Sequence, residues 1–144
     1  MGAILGRVIR IRKIREQLAQ QDLVEKQGVL QEHTRALEDL HARVSDSAKE
    51  SVGAGAEGLT RHHAFALRSE MQRRRRDAEL RRAQVALERQ RSQLQHLARD
   101  RQAAEELNDL QIQRDMEEAM QRDQRKLDDI AAQGWQRKQD KGGR

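Results

Sequence analysis

The side chains able to do chemistry are few, and their spacing does not let them converge. Histidines stand at His33, His41, His62, His63 and His96, and they are the metal-capable nitrogens of the chain. Neighbours on a helix point about 100° apart, so His62 and His63 do not share an ion. There is no HExxH pair, no GxxxxGK[ST] loop to cradle a nucleotide phosphate, and no GxSxG turn to present a serine. The carboxylates fall on solvated helix faces, where no pocket shifts their pKa. Cysteine is absent, which excludes disulfides, four-cysteine zinc sites and thiol catalysis. The expectation is a non-enzyme with no catalytic residue, no cofactor and no metal site.

Two charged segments invite binding rather than catalysis. Arg73, Arg74, Arg75 and Arg76 form the densest basic run, with Arg68, Arg81 and Arg82 nearby. Such a run suits nucleic-acid phosphates, an acidic protein surface, or simply a solvated coiled-coil face, and these readings remain open. The net charge is only +5 and aromatics are 1% of the chain, so no rings interleave for base stacking. Residues 4–18 are basic and amphipathic, which fits a membrane surface, but their apolar positions also fit a helix seam. Phe65 stands alone after a Gly-rich segment, as a core residue or as a partner contact.

The elements that must position these groups follow from composition. The chain has 144 residues, 37% of them charged, and no proline. Too few large apolar side chains are present to build an ordinary globular core. Disorder or long helices with a narrow seam remain, and the abundance of Ala, Leu, Gln, Glu and Arg favours helices. Gly53, Gly55 and Gly58 mark the one interior loop. The predicted organisation is a single coiled-coil domain over 1–144: helix 4–50, loop 51–59, helix 61–134 capped by Thr60, and a frayed tail at 135–144. No apolar run approaches the ~20 residues of a membrane span. The first residues lack a signal-peptide core, and Gly6 stands where myristoylation expects Ser or Thr. A soluble, cytoplasmic protein is expected.

Both helices carry seven-residue periodicity. Leu23, Leu30, Leu37 and Val44 recur every seven, with Leu40 between them. Upstream, Ile4, Val8, Ile11, Ile14 and Leu18 follow steps of three and four, which implies a slip of phase between Leu18 and Leu23. Leu80, Leu87 and Leu94 recur every seven with Ala83 and Leu97 beside them, and Met116, Met120, Leu127 and Ile130 follow later. Leu107, Leu110 and Ile112 fit no single register. Two such helices and one short loop imply an antiparallel, all-α, two-helix coiled coil with a longer second helix. A turn near 55–57 places Arg7 near Glu105 and Arg15 near Leu97, so the basic start faces an acidic stretch. The first helix then ends opposite about residue 108. The last ~35 residues are left with an apolar stripe and no partner in the chain, on a second helix roughly 110 Å long.

Three blocks carry a family resemblance. Residues 122–131, Arg122-Asp123-Gln124-Arg125-Lys126-Leu127-Asp128-Asp129-Ile130-Ala131, followed by Arg137-Lys138, resemble the tail signature of the FliJ family. The Gly-rich turn with Leu59-Thr60 and His63-Ala64-Phe65 is similar to the family's middle, and residues 8–16 to its opening helix. The resemblance implies a non-catalytic central stalk of the flagellar type III export apparatus, similar to the γ subunit of rotary ATPases. It implies a ring contact with the hexameric export ATPase through Arg7, Ile11, Met116, Met120, Leu127, Ile130 and Trp135. It implies a contact with the cytoplasmic domain of the export gate through Leu37, Leu40, Val44, Phe65, Ser69 and Gln72, and handling of export chaperones. The implied location is the cytoplasmic face of the inner membrane, held there through the apparatus and without nucleic acid. The family has more aromatics near the hairpin tip than His41 and Phe65 supply here. The alternatives are an injectisome stalk, a basic coiled coil associated with nucleic acid, or a homodimeric scaffold.

Overall fold

The computed structural model describes residues 2–142. Helix α1 spans Gly2–Ser51 and helix α2 spans Gly55–Gly142, and the described residues contain no strand. Both lengths follow from the same cause: strong helix formers throughout and no proline to remove a ladder hydrogen bond.

The turn between them is tighter than the predicted loop. The Ser51 hydroxyl donates to the Ala48 carbonyl at 2.7 Å, and the Ala54 amide donates to the Ser51 carbonyl at 3.3 Å. Gly55 takes a left-handed φ of 71°, where a Cβ would be strained. Helix α2 resumes there, well before Thr60. Thr60 is therefore inside the helix, its hydroxyl donating to the Ala56 carbonyl one turn back at 3.0 Å, and it is not a cap. At the other end, 135–142 is helical, because nothing in Trp135-Gln136-Arg137-Lys138 opposes the ladder.

The chain divides into two compact units. The hairpin unit, Ile14–Ala98, holds α1 and α2 antiparallel. Ser47 meets His62 at 2.9 Å, His33 lies 3.5 Å from Glu79, and Lys26 reaches Gln90 at 3.1 Å, so positions rise along one helix as they fall along the other. Leu23, Leu30, Leu37, Leu40 and Val44 of α1 are half-buried, as are Ala66, Leu80, Ala83, Leu94 and Leu97 of α2. Leu87 is the most enclosed leucine of this seam, 5% exposed, and its burial stabilises by about 1.5–3 kcal/mol. The terminal unit comprises residues 2–13 of α1 and 99–142 of α2. Ala104 is buried there, the Arg12 guanidinium donates to the Asp100 carbonyl, and Lys13 lies 3.6 Å from Glu105.

The predicted slip of phase does not occur. Stepping back by sevens from Leu30 gives Leu23, Glu16 and Ile9; stepping back from His33 gives Lys26, Ala19, Arg12 and Leu5. Each of these is buried or half-buried, while Ile4, Ile11, Ile14 and Leu18 are exposed. Close approach at the small Ala19 lets Gln90 donate to its backbone carbonyl at 2.9 Å, which keeps the existing phase. The heptad thus continues through Arg12 and Glu16 to Ile9 and Leu5; Ile4, Ile11, Ile14 and Leu18 face out, and Val8 stays half-buried. Glu105 is also placed differently from the expectation: its carboxylate meets Lys13 and Arg101.

Candidate functional site: an unpartnered helix end and a hairpin seam

Every described residue from Ile112 to Gly142 is exposed. The exposed side chains include Ile112, Met116, Met120, Leu127, Ile130 and Trp135, at 48–69%. Met116, Met120, Leu127 and Ile130 share one face by their steps of four, seven and three, and Trp135 sits at its flank. The polar contacts here stay within the helix. Gln111 donates to Asp115 at 3.0 Å, Gln124 donates to Asp128 at 3.1 Å, and Arg122 pairs loosely with Glu118 at 3.9 Å. Such i,i+4 contacts support the helix but bury no apolar area. Two methionines and a tryptophan are adaptable, large contact residues. Arg7 and Ile11, in the same unit, are exposed as well. Ile11 faces out because the seam runs through Arg12.

The residues expected near the hairpin tip line three open clefts, two of which share Leu40. Leu37, Leu40 and Val44 lie in the seam and line an open cleft with His41, Ala66, Ser69 and Arg73. The cleft exists because the α2 side chains there, Ala66 and Ser69, are small. Ser69 is buried at its floor. Gln72 lies on the other side of Leu40, in a cleft with Asp39, Arg43 and Arg76. Phe65 is half-buried in a third cleft beside the turn, with Ser51, Gly58 and His62.

The arginine run is partly neutralised by its own helix. Glu70 accepts from Arg73 at 2.8 Å and lies 3.4 Å from Arg74, and Arg76 reaches Glu79 at 3.4 Å. The hydrogen bond from Arg73 holds the Glu70 carboxyl below its usual range and raises the Arg73 guanidinium in turn. Arg68, Arg75, Arg82 and Arg89 are exposed and make no ion pair among the described residues. His62 is engaged with Ser47, and the Nδ1 of His33 is buried without a hydrogen bond. No three His, Asp or Glu groups among the described residues converge as metal ligands.

Two features escaped sequence reasoning. One is the polar lock in the hairpin seam, where buried Gln90 bridges Lys26 and the Ala19 carbonyl; its sign was Gln90 standing seven residues from both Ala83 and Leu97. The other is a second apolar row on α2, with Leu67, Met71 and Val85 exposed. No helix among the described residues is long and apolar enough to cross a membrane.

Residues 1–140 match the family described as flagellar FliJ protein. No curated protein and no solved structure matches the chain. The matched span takes in the turn, both paired stretches and nearly all of the exposed end. The chain therefore belongs to the FliJ family, as a non-catalytic, stalk-type component of flagellar protein export.

Proposed function

We propose that this protein is the central stalk of the flagellar export ATPase, its C-terminal helix end entering the pore of the hexameric ring. The observation that carries this reading is the uninterrupted exposure of 112–142, with an apolar face that the chain itself does not cover. A helix end inside a ring needs such a face, and it needs no nucleotide site, because hydrolysis belongs to the ring. Arg7 and Ile11 flank the contact from α1. The hairpin end meets the cytoplasmic domain of the export gate through Leu37, Leu40, Val44, Phe65, Ser69 and Gln72, the cleft over Ser69 accepting a partner side chain. Export chaperones pass over the same stalk, and the protein works at the cytoplasmic face of the inner membrane through its partners.

Co-purification with the export ATPase, together with its hydrolysis rate, tests the ring contact. The double variant Met120→Asp with Leu127→Asp removes two apolar contacts of about 1.5–3 kcal/mol each, which weakens binding by roughly a hundredfold or more. Both positions are exposed, so helicity stays the same. Ring binding that survives this variant would show that the contact lies elsewhere.

A further inference from the structure

Helix α2 carries a second heptad row that the hairpin does not use. Ala64, Met71, Ala78 and Val85 recur every seven residues, and Leu67 lies between the first two. All are exposed. Beside them Arg68, Arg75, Arg82 and Arg89 also recur every seven, each exposed and none in an ion pair among the described residues. An apolar row edged by a row of unpaired like charges is one half of a coiled-coil seam, and it calls for an acidic, apolar-striped helix.

Such a helix exists in the chain. Residues 68–85 carry seven arginines and three acids, where residues 106–123 carry six acids and two arginines, so the two segments are +4 and −4. Met116 and Met120 are exposed in the acidic segment, as are Glu106, Asp109, Glu117 and Asp123, none of which has an ion-pair partner among the described residues. The steps of seven that pass through Met71 and Val85 continue to Met120 and Leu127.

We propose that α2 is self-complementary and that a second copy of this chain docks antiparallel along it. The basic stretch 68–85 of one copy then lies on the acidic stretch 106–123 of the other. Aligning Arg68 with Asp123 brings Met71 beside Met120, Arg75 beside Met116 and next to Glu117, and Arg82 beside Asp109. A parallel pairing would set arginine row against arginine row. Every copy carries both halves, so a two-fold pair makes the contact twice. The pair covers Met116 and Met120, so a paired chain and a chain engaged in a ring are alternative states. The inference does not depend on the ring, since the contact is between copies of the free chain.

Sedimentation equilibrium of the full chain tests it. At low salt the protein sediments as a dimer whose dissociation constant rises about tenfold or more on going to high salt. Reversing Arg68→Glu, Arg75→Glu and Arg82→Glu gives a monomer. Reversing Asp109→Arg, Glu117→Arg and Asp123→Arg gives another, both with unchanged helicity. Mixing these two monomers restores a dimer, because each charge row then faces its opposite. A wild-type chain that is monomeric at every concentration leaves the row to another protein's helix and overturns the proposal. So does a dimer indifferent to both reversals.

Discussion

Gln90 is the most informative single substitution in the hairpin. It is 4% exposed, yet both ends of its amide are used: Nε2 donates to the Ala19 carbonyl at 2.9 Å and Oε1 accepts from Lys26 Nζ at 3.1 Å. Gln90→Ala deletes both bonds. The neutral bond is worth about 1 kcal/mol and the charge-assisted one about 1.5–3 kcal/mol. Lys26 is half-buried and regains water, which offsets part of the second. The expected loss is about 2 kcal/mol, read from urea unfolding followed by circular dichroism at fixed protein concentration. Gln90→Leu keeps the volume and adds apolar burial, so its stability stays within about 1 kcal/mol of the wild type. What it loses is register, because a seam of Leu and Ala at sevens accepts a seven-residue shift. The chain has no cysteine, so pairs can be introduced cleanly. His33→Cys with Glu79→Cys reports the native register, and His33→Cys with Gln72→Cys or Ala86→Cys reports the shifted ones. Shifted crosslinks are expected in the Gln90→Leu background and not with Gln90 present. A loss below about 0.5 kcal/mol for Gln90→Ala, or native crosslinks alone with Gln90→Leu, would refute the reasoning.

Other outcomes follow from the same geometry. His33→Leu adds apolar burial in the seam but gives up the 3.5 Å approach of Nδ1 to Glu79, which makes no hydrogen bond, so stability read from the urea midpoint stays within about 1 kcal/mol of the wild type. Gly55→Ala strains a left-handed φ of 71° and costs about 1 kcal/mol, seen as a lower melting temperature. Any side chain at Gly58 overlaps the Cβ of Ala54, so Gly58→Val lowers the melting temperature further than Gly58→Ala. Glu70 is held below the usual carboxylate range chiefly by the hydrogen bond from Arg73. Its contribution is present above the unfolded carboxylate's pKa and is lost as pH falls through the lowered folded value. Wild type and Glu70→Gln therefore melt differently at neutral pH and converge in acid.

Much of the fold is legible in the residues. Absence of proline, a Gly cluster at 53–58 and leucines at sevens dictate two long helices and one turn. The pairing of Arg12 with Asp100 and of His33 with Glu79 falls where a turn near 55–57 puts it. The exposed end is legible too, because its apolar residues at 116, 120, 127 and 130 have no counterpart among the described residues of α1. The start of α1 is where reading by hydrophobicity fails. Ile11, Ile14 and Leu18 look like a seam, and the seam runs instead through Arg12, Glu16 and Ala19.

Local sequence thus determined helicity, the place of the turn and the antiparallel sense, since these depend on propensity and on counting. Tertiary structure decided which face of each helix is inside. That choice is cooperative along the whole seam: a heptad phase set by Leu23, Leu30, Leu37 and Val44, and locked by Gln90, carries polar residues inward and leaves isoleucines in water, because a local gain of apolar burial does not offset breaking the register of the whole helix. The same decision leaves Met71 and Val85 outside, where only another molecule can cover them.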